Sequence, residues 1–234
     1  MDLLDRLADD PSRAALFLDV DGVLAPIVPR PEDARVPERT RDELRRLAAR
    51  YALVACISGR KGDDAMRVVG APELVYVGNH GLELLPDAKG WAVRLHAFLA
   101  ATDWPRIEDK GVTAALHYRG VDEETARDEL DPIAERARSA GFRTRYGRKV
   151  LELLPPLEAH KGTAVRALLA ERGLRRALYA GDDTTDLDAF RALDGLEVAV
   201  RIAVASEEGP TELRAAADIV VGGPGDFFAL LERL

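Results

Sequence analysis

Apolar residues are distributed along this chain in two rhythms that take turns. Short, largely apolar runs at residues 14–18, 51–57, 74–77, 177–180, 197–204 and 219–221 have the length and density of strands covered on both faces. Between them the apolar positions recur at helical spacing. After Pro37, at the first turn of a helix, Leu44, Leu47 and Ala48 face inward against Arg and Glu, and residues 63–69 and 161–172 read as further helices. Strand alternating with helix predicts a parallel sheet with right-handed crossovers, whose chemistry collects at the carboxyl ends of the strands. Residues 85–156 break the rhythm. A helix at 91–99, an extended stretch at 108–119, a helix at 123–139 and two antiparallel strands at 142–146 and 150–154 form a small α+β unit of their own. Asp131-Pro132 predicts a kink or break in the longer helix, and Pro155-Pro156 a hinge back. The organisation expected is α/β: a core formed by 1–84 and 157–234, interrupted by a cap at 85–156, with Asp226 capping the final helix.

With 234 residues, 47% of them hydrophobic and 32% charged, the chain has the composition of a globular protein and the length for one domain with an insertion or two modest domains. Its net charge of -8 argues against nucleic acid as a partner. The single cysteine, Cys56, lies inside an apolar run and reads as a buried structural thiol. Residues 1–10 have no basic start followed by an apolar core, and no stretch has the length to span a bilayer, so a cytoplasmic protein without a membrane partner is expected.

The chemistry begins where the first run ends, at Asp19-Val20-Asp21-Gly22-Val23-Leu24. A strand over 14–18 points Asp19 and Asp21 the same way, and two carboxylates in one place repel unless a cation or a proton stands between them. An acidic Asp-Gly turn has the same spacing. Three more groups fall at expected strand ends or helix starts: Ser58-Gly59-Arg60, Lys161-Gly162 and Gly181-Asp182-Asp183-Thr184-Thr185-Asp186. Each has an ordinary structural explanation, as a loop start, a solvated lysine or a helix cap. Together they describe a phosphoryl-transfer site, in which Asp19, the Asp21 carbonyl and Asp182 supply oxygens to a hard cation such as Mg²⁺ while Ser58 and Lys161 hold the phosphoryl oxygens.

These four motifs resemble those of the haloacid dehalogenase-like phosphatases. More narrowly, Ala25-Pro26-Ile27, Gly78-Asn79-His80-Gly81-Leu82-Glu83, Glu108-Asp109-Lys110, His117-Tyr118-Arg119, Gly147-Arg148-Lys149-Val150-Leu151-Glu152 and Thr184-Thr185-Asp186-Leu187-Asp188-Ala189-Phe190 are similar to the trehalose-6-phosphate phosphatase family. The resemblance implies a Rossmann-like parallel-sheet core with an inserted α+β cap of type C2, hydrolysis of trehalose 6-phosphate, and an aspartyl phosphate formed on Asp19 with Asp21 as acid and then base. It also implies Mg²⁺ held by Asp19, Asp21 and the acidic motif, with Asp182 first in order and Asp183 or Asp186 second. Sugar contacts fall by the same resemblance to Glu108, Lys110, His117, Arg119, Arg148 and Glu152, with Asn79 and His80 at the core's edge, and either Arg148 or Lys149 turns inward. Val23 stands where the superfamily motif commonly has Thr, and Leu187 where the family pattern usually has an acid; both bear on substrate tuning. A monomer acting on a small sugar phosphate is expected. A phosphatase for another sugar, a phosphomutase sharing the aspartyl phosphate, and a non-catalytic sugar-phosphate-binding domain are the competing readings.

Overall fold

The computed structural model describes residues 2–147, 149–205 and 209–234. Its strands are β1 (Ala14–Leu18), β2 (Leu53–Ile57), β3 (Val75–Val77), β4 (Ile107–Asp109), β5 (Ala114–His117), β6 (Arg143–Gly147), β7 (Val150–Leu154), β8 (Arg176–Gly181), β9 (Val198–Val204) and β10 (Ile219–Val221). The helices are α1 (Leu3–Ala8), α2 (Glu38–Arg50), α3 (Gly62–Val69), α4 (Ala88–Ala100), α5 (Glu123–Ser139), α6 (Lys161–Arg172), α7 (Leu187–Ala192), α8 (Thr211–Ala216) and α9 (Pro224–Leu231). The chain divides into two compact units, one running up to Gly81 and resuming at Ala159, the other Leu82–Glu158.

The first unit holds a six-stranded sheet in the order β10-β9-β8-β1-β2-β3, all pairings parallel. Its two faces divide by the period of two that extended chain imposes. From β1, Leu16 and Leu18 join Val54, Cys56 and Leu178 beneath the apolar sides of α1, α2, α3 and α9. Ala15 and Phe17 join Ala55, Ile57 and Tyr179 beneath α6, α7 and α8. Burial on both faces is why these strands read as unbroken apolar runs. Cys56 is fully buried, and burial raises its thiol pKa, in keeping with a structural role.

The second unit is a four-stranded antiparallel sheet in the order β4-β5-β7-β6, one face packed on α4 and α5 through Leu95, Leu130, Ile133, Leu116, Leu151 and Leu153. Several elements differ from the sequence-based expectation. The stretch 108–119 folds into two strands because Asp109 accepts the Gly111 N–H at 2.7 Å and Gly111 takes φ +83°, which turns the chain at 110–113. α5 runs without interruption through Pro132. Asp122 caps it by accepting from Glu124 N and Thr125 N, acids begin it and arginines end it, and a buried stripe of Ala126, Leu130, Ile133, Ala134 and Ala137 outweighs one missing donor. Asp226 lies in the first turn of α9 and accepts from Gly222 N at 3.1 Å, while Gly223 occupies the cap position. α1 escapes a periodicity search by being six residues long; a reciprocal Asp2–Asp5 capping box starts it, and Leu4 and Leu7 bury it.

Pro132 is exposed, so replacing it removes no packing while restoring an N–H to the helix. Pro132→Ala is expected to stabilise the chain by about 1–3 kcal/mol in chemical denaturation. An unchanged or lower midpoint would show that the helix has adapted fully to the proline.

Candidate active site

The sheet register puts the chemistry at one edge. Leu18 pairs with Ala180 on one side of β1 and with Cys56 on the other, and the Asp19 N–H donates to the Ala180 carbonyl at 3.0 Å. Asp19, the acids after Gly181 and Ser58 after β2 therefore emerge from adjacent strand ends.

Lys161, the first residue of α6, joins them. Its Nζ is buried and donates to Asp19 Oδ2 at 2.5 Å and to Asp186 Oδ1 at 2.7 Å. Burying an ammonium is expensive unless carboxylates and hydrogen bonds compensate it, and here both partners are buried with it. Asp186 is itself fully engaged: Tyr179 donates its hydroxyl to Oδ1 at 2.6 Å, and the Asp182 and Asp183 N–H groups each donate to Oδ2 at 3.0 Å. Four donors occupy its acceptor positions, so Asp186 fixes Lys161 and the loop around it. Asp19 Oδ1 accepts from Val20 N at 2.7 Å.

Asp182 completes a triad in which Asp19, Asp182 and Asp186 each offer an oxygen, all lying within 4.8 Å of one another. It presses against the chain at Gly22, which has φ +81° and where a Cβ would lie 2.0 Å from Asp182 Oδ2. Only glycine combines that backbone with that approach. Three carboxylates thus face one ammonium in a largely buried place. Burial pushes the Asp182 carboxyl up to about 8, with Asp19 and Asp186 adding to the effect and Lys161 opposing it. Asp19 is raised for the same first reason, burial outweighing the pull of Lys161. Burial alone would lower the Lys161 pKa, yet Asp19 and Asp186 hold it above its ordinary value. Hard oxygen donors, excess negative charge and a cradle kept open by Gly22 fit a divalent cation.

The other expected site residues are distributed as follows. Asp21 is held by Arg60 through two hydrogen bonds, Nε to Oδ2 at 2.6 Å and Nη2 to Oδ1 at 2.7 Å. Asp183 points to the start of the next turn, accepting from Thr184 N at 2.6 Å. Ser58 and Asn79 are buried. The loops bearing them are laced together, Asn79 N to the Arg60 carbonyl at 2.8 Å and His80 N to the Ser58 carbonyl at 2.9 Å. Asn79 and His80 both take left-handed backbone, φ +51° and +54°. Two such residues in succession cost on the order of 1–2 kcal/mol each, a strain the Ser58–Arg60 loop holds in place.

In the second unit, Glu108, Ala115, Glu152 and Arg145 form one row across the sheet on the face away from its core. His117 Nε2 meets Glu108 Oε2 at 2.9 Å, and Lys110 Nζ lies 3.8 Å from the same oxygen. Arg119 lies past the end of β5, exposed and outside that row. Lys149 Nζ pairs with Glu123 Oε2 on α5 at 3.4 Å, and Arg148 lies outside the described residues. Two members escaped sequence reasoning. Tyr179 looks like one more apolar strand residue, and only the fold reveals its hydrogen bond to Asp186. Arg145, whose Nε donates to Glu152 Oε2 at 2.8 Å, follows from the antiparallel register that pairs Gly147 with Val150.

Comparison with known proteins bears on what this arrangement is for. The trehalose-phosphatase family model matches residues 17–218. A probable trehalose-phosphate phosphatase 2 of Oryza sativa subsp. japonica is 30% identical over 268 residues, covering 95% of this chain and 68% of that protein. A trehalose-phosphate phosphatase of Mycobacterium avium is 36% identical over 208 residues, covering 77% of this chain and 51% of that one. Several of the curated relatives are thus much longer than this chain. Among solved structures, a trehalose-6-phosphate phosphatase of Aspergillus fumigatus superposes with a TM-score of 0.62 at 26% identity, covering 99% of this chain and 96% of that one. The family model match begins at the end of β1 and takes in Asp19, the Lys161 helix start and the acidic loop after β8, so the carboxylate–ammonium cluster lies within the matched region, and the chain belongs to the trehalose-phosphatase family.

Proposed function

We propose that the chain is a Mg²⁺-dependent phosphatase that hydrolyses trehalose 6-phosphate to trehalose and phosphate. One observation carries the reading: Asp19 is a buried carboxylate whose oxygens are oriented by Lys161 Nζ and Val20 N, as a nucleophile must be before it meets phosphorus. Asp19 attacks phosphorus, the bond to the sugar oxygen breaks, and Asp21 gives that oxygen its proton. Asp21 then takes a proton from water as the water oxygen attacks the aspartyl phosphate, freeing phosphate and Asp19. For this, Arg60 gives up part of its grip on Asp21 when the carboxyl is protonated. Ser58 and Lys161 hold the phosphoryl oxygens as charge moves onto them. Asp19, Asp182 and the Asp21 carbonyl would hold Mg²⁺, which when bound would neutralise part of that charge. Asp183, occupied with Thr184, is placed after Asp182 in the order of ligands.

Sugar hydroxyls would be read by Glu108, Lys110, His117 and Glu152, a face where acids and cations alternate, with Arg119, Arg148, Asn79 and His80 as further contacts. No helix among the described residues is long and apolar enough to cross a membrane. The reading assigns the reaction to the cytoplasm and to a monomer.

Phosphate release across a panel of sugar phosphates is expected to favour trehalose 6-phosphate by at least about tenfold in kcat/KM and to cease on chelation. Asp19→Asn is expected to lose about ten-thousand-fold or more. Preference for another sugar ends the substrate assignment, and an active Asp19→Asn ends the mechanism. Because Asp182 and Asp19 bind protons near neutrality, a divalent cation has to displace them. Mg²⁺ affinity measured calorimetrically without substrate is therefore expected to rise by roughly tenfold per pH unit between about pH 6 and about pH 8. Affinity that is flat over this window contradicts the carboxylate set.

A further inference from the structure

At the opposite edge of the same sheet, where β1 and β8 begin, a cavity of about 250 Å³ is lined by Arg13, Arg172, Arg175, Arg176, Ser12 and Glu197 among others. β1 and β8 are five and six residues long, so at ~3.3 Å per residue this cavity lies roughly 17–20 Å from the acids at their other ends. Four arginines line it in a chain whose net charge is -8. Local structure explains each only in part. Arg172 complements the carboxyl end of α6 and lies 4.0 Å from Glu171, while Arg13 lies 3.8 Å from Asp10; both separations exceed a hydrogen bond. Arg175 engages Glu197 at 3.2 Å and the Gly195 carbonyl at 3.2 Å. Arg176 donates Nη2 to the Arg6 carbonyl, and its Nε is buried with no hydrogen-bond partner. Glu197 is the one acid among the lining residues, and with Asp10 beside Arg13 and Glu171 beside Arg172 the four positive charges still outnumber the three negative ones.

We infer that this cavity binds a small multivalent phosphate oxyanion, at a site separate from the carboxylate cluster. The chemistry is that of guanidinium forks, which present planar pairs of N–H donors matched to phosphate oxygens. The volume lies just below the roughly 300–1,000 Å³ of drug-sized pockets and suits a group of pyrophosphate size. Binding held by these charges weakens as salt screens the local arginines.

The test is calorimetric titration of pyrophosphate into the full chain, without Mg²⁺ and at fixed low ionic strength, alongside the Arg13→Glu/Arg172→Glu double variant, whose changes are on exposed side chains. One site per chain is expected, weakened at least tenfold in the double variant, with phosphatase turnover in Mg²⁺ unchanged. Should the double variant melt early, Arg13→Ala alone is expected to weaken binding two- to threefold. No binding to the unmodified chain, or binding indifferent to these substitutions, overturns the inference; turnover is a separate readout, so failure here leaves the phosphatase assignment untouched.

Discussion

A single buried ammonium, that of Lys161, is the constraint from which the site follows. It draws the start of α6 to the end of β1 through Asp19 and to the loop after β8 through Asp186. Three carboxylates packed as closely as Asp19, Asp182 and Asp186 repel one another, and among the described residues Lys161 is the buried cation that pairs with two of them. The surrounding backbone is shaped to let the groups close in. A Cβ at Gly181 would lie 2.3 Å from Asp186 Cγ, and one at Gly162 would lie 2.1 Å from the Asp188 carbonyl oxygen. The residual negative charge that Lys161 leaves unmatched is what suits the place to a hard cation.

How much of this could be read beforehand depends on what each signal encodes. β1 and α5 matched their expected bounds because buried strands and capped amphipathic helices write their physics locally, as apolar runs and as Asp122 followed by acids and then a 3.6-residue stripe. Asp19, Lys161 and Asp182 were legible as motif residues, yet the sequence left Asp183 and Asp186 as equal alternatives. What separates them is tertiary. Asp186 is buried with four donors, while Asp183 spends its carboxylate on the adjacent turn, and neither fact has a counterpart in spacing. Pro132 misled for the complementary reason: its cost is local, but the burial that outweighs it comes from packing.

The second unit illustrates the same division. Alternation along β4, β5, β6 and β7 separates an apolar face, which packs on α4 and α5, from a polar one carrying Glu108, His117, Glu152 and Arg145. The motif residues marked the polar face. Their pairing needed the register: Glu108 with His117, and Glu152 with Arg145 across the hairpin. Charges arranged as matched pairs on a sheet hold one another in fixed orientations, which is the preorganisation a many-hydroxyl ligand rewards.

Lys161 is the cation that reconciles these closely packed carboxylates, and the unfolding free energy of Lys161→Met as a function of pH shows whether it does so. Without the ammonium, burial and mutual repulsion raise the carboxyl pKa values further above their unfolded values. The folded state then binds more protons than the unfolded one, and stability falls as pH rises. The variant is expected to lose about 3–5 kcal/mol at about pH 8, a loss that shrinks markedly by about pH 5. A variant as stable as the parent at the higher pH, or destabilised equally at both, would contradict it.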